Sequence, residues 1–145
     1  MDSNAERAVK CFARGFNCSQ AVLSAYASTL GLEVDLALKV AGGFGGGIGR
    51  RGDVCGAATG AVMVLGLKHG WTTTDDTDGR KRTYEAVNEF LRRFQQRTGA
   101  IDCRDLLGFD LSTDEGMKLA MERRIHTDVC PGFIRAAAEI LEEML

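Results

Sequence analysis

The sequence holds a single proline, Pro131, and no run rich in proline or serine. Nothing in it reads as an interdomain linker, so residues 1–145 are expected to form one domain. An excess of one charge sign is also missing. The net charge of −2 supplies no field that would draw the chain to nucleic acid or an acidic membrane. Arg50-Arg51 and Arg92-Arg93 are basic spots too sparse to change that reading. There is no long apolar run either. The best candidate, Val54 to Leu67, is too short to span a bilayer and is interrupted by Gly56, Thr59 and Gly60. The opening MDSNAERAVK is charged and lacks the apolar core of a signal peptide. These absences give three expectations: a cytoplasmic protein, no membrane insertion and no nucleic-acid partner.

Alternating apolar and polar residues are missing as well, so no strand is expected. Apolar residues instead recur at helical spacing. Tyr84, Val87, Leu91 and Phe94 form one stripe, and Cys130, Ile134, Ala137, Leu141 and Met144 another. Val22, Ala25 and Tyr26 mark an early one. The spacing predicts helices over 3–14, 18–30, 34–42, 54–69, 79–97, 103–107, 113–124 and 128–144. The fold class is therefore all-α, a multi-helix bundle. Its expected centre is the helix over 54–69, where Gly56 and Gly60 stand four apart, as do Ala57 and Ala61. Such a face lets a neighbouring helix backbone come close.

Five cysteines are present. A cytosolic chain seldom keeps structural disulfides, and at 45 % hydrophobic residues this one can build a core without them. Cys18 follows Asn17, Cys55 follows Asp53-Val54, Cys103 follows Asp102, and Cys130 follows Asp128-Val129 and precedes Pro131. Asn and Asp are favoured helix caps, and proline is favoured in a first helical turn. All four thiols are thus expected in first turns, facing inward toward one pocket. There the helix dipole and unpaired N–H groups favour the thiolate and should lower the thiol pKa. A free cysteine alone is usually a space filler; four behind capping residues point to chemistry. Cys11 has no cap before it and reads as filler. The four are far apart in sequence and no C-x-x-C occurs, so neither a thioredoxin-type motif nor a zinc ribbon is supported.

Gly42 to Gly52 leads into the helix carrying Cys55. Gly47-Ile48-Gly49-Arg50-Arg51-Gly52 matches G-x-G-x-x-G, but no strand precedes it and no βαβ unit surrounds it, so a dinucleotide site is not expected. Gly43, Gly45, Gly46 and Gly47, with Gly56 and Gly60, are candidate cofactor-binding positions. The plain reading of the loop is a tight turn. A middle reading makes it a wall of the cysteine pocket, with Phe44 as lid or anchor. His126 is a candidate base for Cys130, although a lone histidine there is more often a cap or a surface residue. Asp75-Asp76-Thr77-Asp78 lacks the spacing of a calcium loop and reads as loop plus helix cap.

The run Asn17-Cys18-Ser19-Gln20-Ala21-Val22, the loop Gly42 to Gly47, the element Cys55-Gly56-Ala57-Ala58-Thr59-Gly60-Ala61, and then Cys103 and Cys130 together resemble the C_GCAxxG_C_C family. The resemblance spans about residues 4 to 135. Its members are described as redox-active proteins of bacteria and archaea, and its four cysteines carry over to Cys18, Cys55, Cys103 and Cys130. The family also looks related to a domain of certain multihaem cytochromes, but this chain lacks C-x-x-C-H and covalent haem is not expected. The resemblance implies a redox role and names no substrate.

Three functions stand beside one another. In the first, the thiols work as an oxidoreductase by thiol/disulfide exchange or electron transfer, with Cys55 the expected attacking thiol and an unidentified redox partner. In the second, Cys18, Cys55, Cys103 and Cys130 hold a metal or an iron–sulfur cluster. In the third, the cysteines only pack. A homo-oligomeric state is left open, and four cysteines allow three disulfide pairings.

Overall fold

The capping signals decide where several helices begin. In the computed structural model, which describes residues 1–145, α1 (Asn4–Ala13) and α2 (Cys18–Ala27) each start on a reciprocal capping box. Ser3 pairs with Glu6, and Asn17 with Gln20. Helix α3 (Val34–Ala41) runs into a 3-10 turn at Gly42–Phe44. After the glycine loop come α4 (Gly56–His69) and the long α5 (Thr77–Thr98). The side chain of Asp76 accepts from the Gly79 N–H at 2.9 Å, so the acidic stretch is a helix cap. The rest is α6 (Cys103–Leu107), α7 (Asp114–Glu122), α8 (Ile125–Asp128) and α9 (Cys130–Met144).

The chain is all-α, as expected. Its one β-type contact is an isolated antiparallel bridge between Val54 and Asp102. That bridge explains a corrected boundary. The helix expected from 54 starts at Gly56, because Val54 is held extended against Asp102. The helix expected over 128–144 begins at Cys130, since Val129, at φ −123° and ψ −60°, separates α8 from α9. The helix expected to reach residue 30 stops at Ala27, where Leu30 and Leu32 donate back to the Ala27 carbonyl.

Helix α4 is the centre. Ala57, Ala58, Ala61, Val64 and Leu65 are fully buried, and α2, α5 and α9 all pack on it. Its glycines set the approach of α2. A Cβ on Gly60 would stand 2.8 Å from the Ser19 carbonyl oxygen and 3.0 Å from Val22 Cβ. One on Gly56 would stand 3.0 Å from Cys18 Cβ and from the Ser19 amide. Hydrogen is the only side chain these two positions accept without α2 moving away. On the other flank, α5 buries Phe90 and Phe94 as a stacked pair with centroids 5.8 Å apart. The stripe expected through Tyr84 is corrected here: Tyr84 is 56 % exposed and meets Trp71 edge-on, while Phe90 takes the core. Arg93 and Arg97 of α5 pair with Glu143 and Glu139 of α9 at the surface.

The candidate thiol site

Cys18, Cys55, Cys103 and Cys130 each sit at the start of a helix, but the local reasons differ. Cys18 and Cys103 are the first residues of α2 and α6, and Cys130 opens α9 with Pro131 beside it. Cys55 is the N-cap residue of α4. Only Asn17 caps as its sequence suggests, accepting from the Gln20 N–H at 2.9 Å. Asp53 precedes α4 by too far and instead pairs with Arg51, and Asp102 makes no side-chain cap. Asp128 lies inside α8, engaged with Thr127 and Arg124.

The helix starts converge. Cys18, Cys55, Cys103 and Cys130 all line one cavity of about 510 Å³. Cys55 and Cys130 are buried, at 4 % and 9 % exposure, and Cys18 and Cys103 are half-buried. Cys11 lies elsewhere, its sulfur 3.5 Å from the Ser24 hydroxyl, as a filler should.

Backbone pairing holds Cys55 near Cys103. The Cys55 N–H donates to the Ile101 carbonyl at 2.9 Å, and the Cys103 N–H donates to the Asp53 carbonyl at 2.7 Å. These bonds flank the Val54–Asp102 bridge. The two cysteines therefore lie on the same face of this short ladder, diagonally across it. Cys18 and Cys130 come together from the starts of two longer helices, close enough that each shifts the other's acidity.

That pairing splits the acidities. Cys130 is lowered because the Cys18 S–H supports its anion, against the cost of burial. Cys18 is pushed well above the ordinary thiol range, first by Cys130 beside it and then by burial. Burial lifts Cys55 to about 11, although the Ala57 and Ala58 N–H groups pull it back. Burial, and then the neighbouring Cys55 and Cys130, lift Cys103 to about 12. The expectation of four acidified thiols is thus corrected. The N–H groups at the start of α4 do act on Cys55, but removal from water outweighs them. Cys130 is the one of the four pulled toward its anion, so the charge distribution does not favour Cys55 as the attacking thiol.

The walls hold groups that the sequence did not single out. Phe12, Phe16 and Phe133 supply aromatic surface, and Met117 and Ile125 add aliphatic surface. Their helix stripes read as ordinary core, so no pattern marked them. Gly45, Gly46 and Gly56 line the cavity. Gly43, Gly47, Gly60 and Phe44 are not among its walls, a correction for all four. Gly47 and Gly60 serve packing: a Cβ on Gly47 would lie 2.6 Å from the Asp53 backbone. His126 stacks on Phe12 with centroids 5.6 Å apart at the cavity rim. Arg50 also reaches the cavity, at a backbone φ of +68° within a left-handed run from Gly46 to Arg50. No three His, Cys, Asp or Glu side chains stand close enough together to hold a metal ion. The alternative of a thiolate-bound metal or iron–sulfur cluster therefore finds no preformed donor set.

A family model described as "Putative redox-active protein (C_GCAxxG_C_C)" matches residues 16–144. The chain belongs to the C_GCAxxG_C_C family. No curated protein and no solved structure matches it. The C_GCAxxG_C_C match begins just before Asn17-Cys18 and takes in all four cavity cysteines, while Cys11 falls outside it. No helix of this C_GCAxxG_C_C protein is long and apolar enough to cross a membrane.

Proposed function

We propose that this chain is a thiol oxidoreductase that cycles Cys18, Cys55, Cys103 and Cys130 between dithiol and disulfide. The observation that carries the reading is the meeting of four free thiols on one cavity, one of them pulled toward its anion and three pushed away from it. A thiolate attacks and a thiol does not, so Cys130 is the attacking sulfur. Cys18, beside it, is the resolving thiol, and Cys18–Cys130 is the primary disulfide.

Cys55 and Cys103 form the second pair. Burial holds both of them protonated more firmly than Cys130, so this pair attacks more slowly and oxidises after the first. Exchange with Cys18–Cys130 would carry oxidation to it.

Mild oxidation with diamide, followed by peptide mass spectrometry, tests the reading. Cys18–Cys130 should appear first, then Cys55–Cys103. Recovery of all four as free thiols, unchanged by oxidant, would overturn it.

A further inference from the structure

The redox reading leaves open what exchanges electrons with the thiols, and the cavity bears on that question. Cys130, the sulfur that attacks, is 9 % exposed, and its partner thiols stand behind the same walls. Attack on a disulfide needs an in-line approach to the target sulfur. A disulfide on a folded protein surface cannot be brought to such a sulfur, whereas a small molecule that enters the cavity can. The volume of about 510 Å³ falls in the range of small-ligand pockets.

The walls then select the molecule. Phe12, Phe16, Met117, Ile125 and Phe133 make the interior mainly apolar, which disfavours a peptide-like disulfide carrying several charges. No carboxylate lines the cavity. Apart from the thiols and His126, its one ionisable group is Arg50, a solvent-exposed side chain with no ion-pair partner. An unpaired guanidinium at the edge of an apolar cavity is matched by a single acidic group on the ligand.

Resting on the thiol-redox reading, we infer that the substrate is a small organic disulfide with an apolar body and one acidic end, bound with that end at Arg50 and its S–S bond toward Cys130. The chemistry balances within the site. The Cys130 thiolate bonds to one substrate sulfur as the S–S bond breaks. The other sulfur leaves as a thiolate and takes the proton of Cys18. Cys18 then bonds to the Cys130 sulfur, and the first substrate sulfur departs and is protonated by solvent. Two protein thiols are oxidised, one substrate disulfide is reduced by two electrons, and every step runs equally in reverse.

Lipoate, a cyclic disulfide on an apolar chain ending in a carboxylate, is the probe. The oxidised protein is mixed with dihydrolipoate, and the reduced protein with lipoate, and the protein's redox state is followed by mass spectrometry. Exchange should run at least tenfold faster than with the glutathione couple at equal thiolate concentration. Arg50→Gln should raise the half-saturating concentration of lipoate about tenfold and leave uncharged lipoamide unchanged, with Arg50→Lys restoring most of the loss. Equal rates with glutathione, faster exchange with a protein disulfide, oxidation by menadione but not by lipoate, or a loss in Arg50→Gln shared by lipoamide would each overturn the inference. The diamide reaction separates the two levels: disulfides with diamide but none with lipoate sink only the substrate class, and none with either sinks the redox reading itself.

Discussion

The two thiol pairs are assembled by opposite means. Cys18 and Cys130 are carried on α2 and α9, which are brought together by packing on α1 and α4 and by Tyr26 of α2 donating to Ala138 and Glu142 of α9. Cys55 and Cys103 are joined through backbone, by two N–H to carbonyl bonds on either side of one bridge. In the first pair Cys130 is pulled toward its anion by Cys18; in the second burial pushes both thiols up. Reactivity in this site thus tracks which sulfur has a donor beside it. A helix start alone does not decide it.

The sharpest way to break the contrast is at the Cys18–Cys130 pair. At neutral pH, Cys130 should alkylate at least tenfold faster than Cys55, and Cys130→Ser should abolish disulfide formation with Cys18. Cys18→Ala should raise the pH midpoint of Cys130 alkylation, while Cys18→Ser, which keeps a donor, should hold it low. An unmoved midpoint in Cys18→Ala would show that Cys18 does not support the anion.

Next in size is the seam that holds the first pair in place. Gly60→Ala puts a methyl group 2.8 Å from the Ser19 carbonyl, so α2 must shift at a cost of about 1–3 kcal/mol, read by denaturant unfolding. The shift should also slow Cys130 alkylation and leave the Cys55–Cys103 ladder untouched. Equal slowing at both pairs would erase the distinction between them.

The last contrast lies in pH. An unfolded thiol ionises near about 8.5. Cys55 and Cys103 stay protonated in the folded chain up to about 11 and about 12, and Cys18 is raised as well. A raised folded pKa gives stability that is complete below the unfolded value and is lost as pH climbs toward the folded one. Unfolding midpoints should therefore fall from pH 8.5 to pH 11, with Cys130 alone acting in the other direction. Cys103→Ser should flatten that slope.

Some of this could be read before folding was considered. The Asn17-to-Gln20 capping box is local, so two residues reveal it. The spacing of Gly56 and Gly60 announced a close neighbour, although only the fold shows that the neighbour is Ser19 of α2. Cap residues near the other cysteines misled, because competition settled each one: Arg51 takes Asp53, and Thr127 with Arg124 takes Asp128. The acidities were illegible for a similar reason. Local sequence displays the helix dipole but not the depth of burial, and burial won at Cys55 and Cys103. On the cavity wall Phe133 joins Phe12 and Phe16 from the far end of the chain, and no spacing links it to them.

The Cys18–Cys130 pair joins residues from nearly opposite reaches of the polypeptide. As the chain emerges from the ribosome, Cys18, Cys55 and Cys103 appear first, without the sulfur that is pulled toward its anion. That anion gains its support only when α9 settles onto α4. A half-made chain thus carries ordinary thiols, and only the finished fold sets Cys130 apart from the other three in acidity.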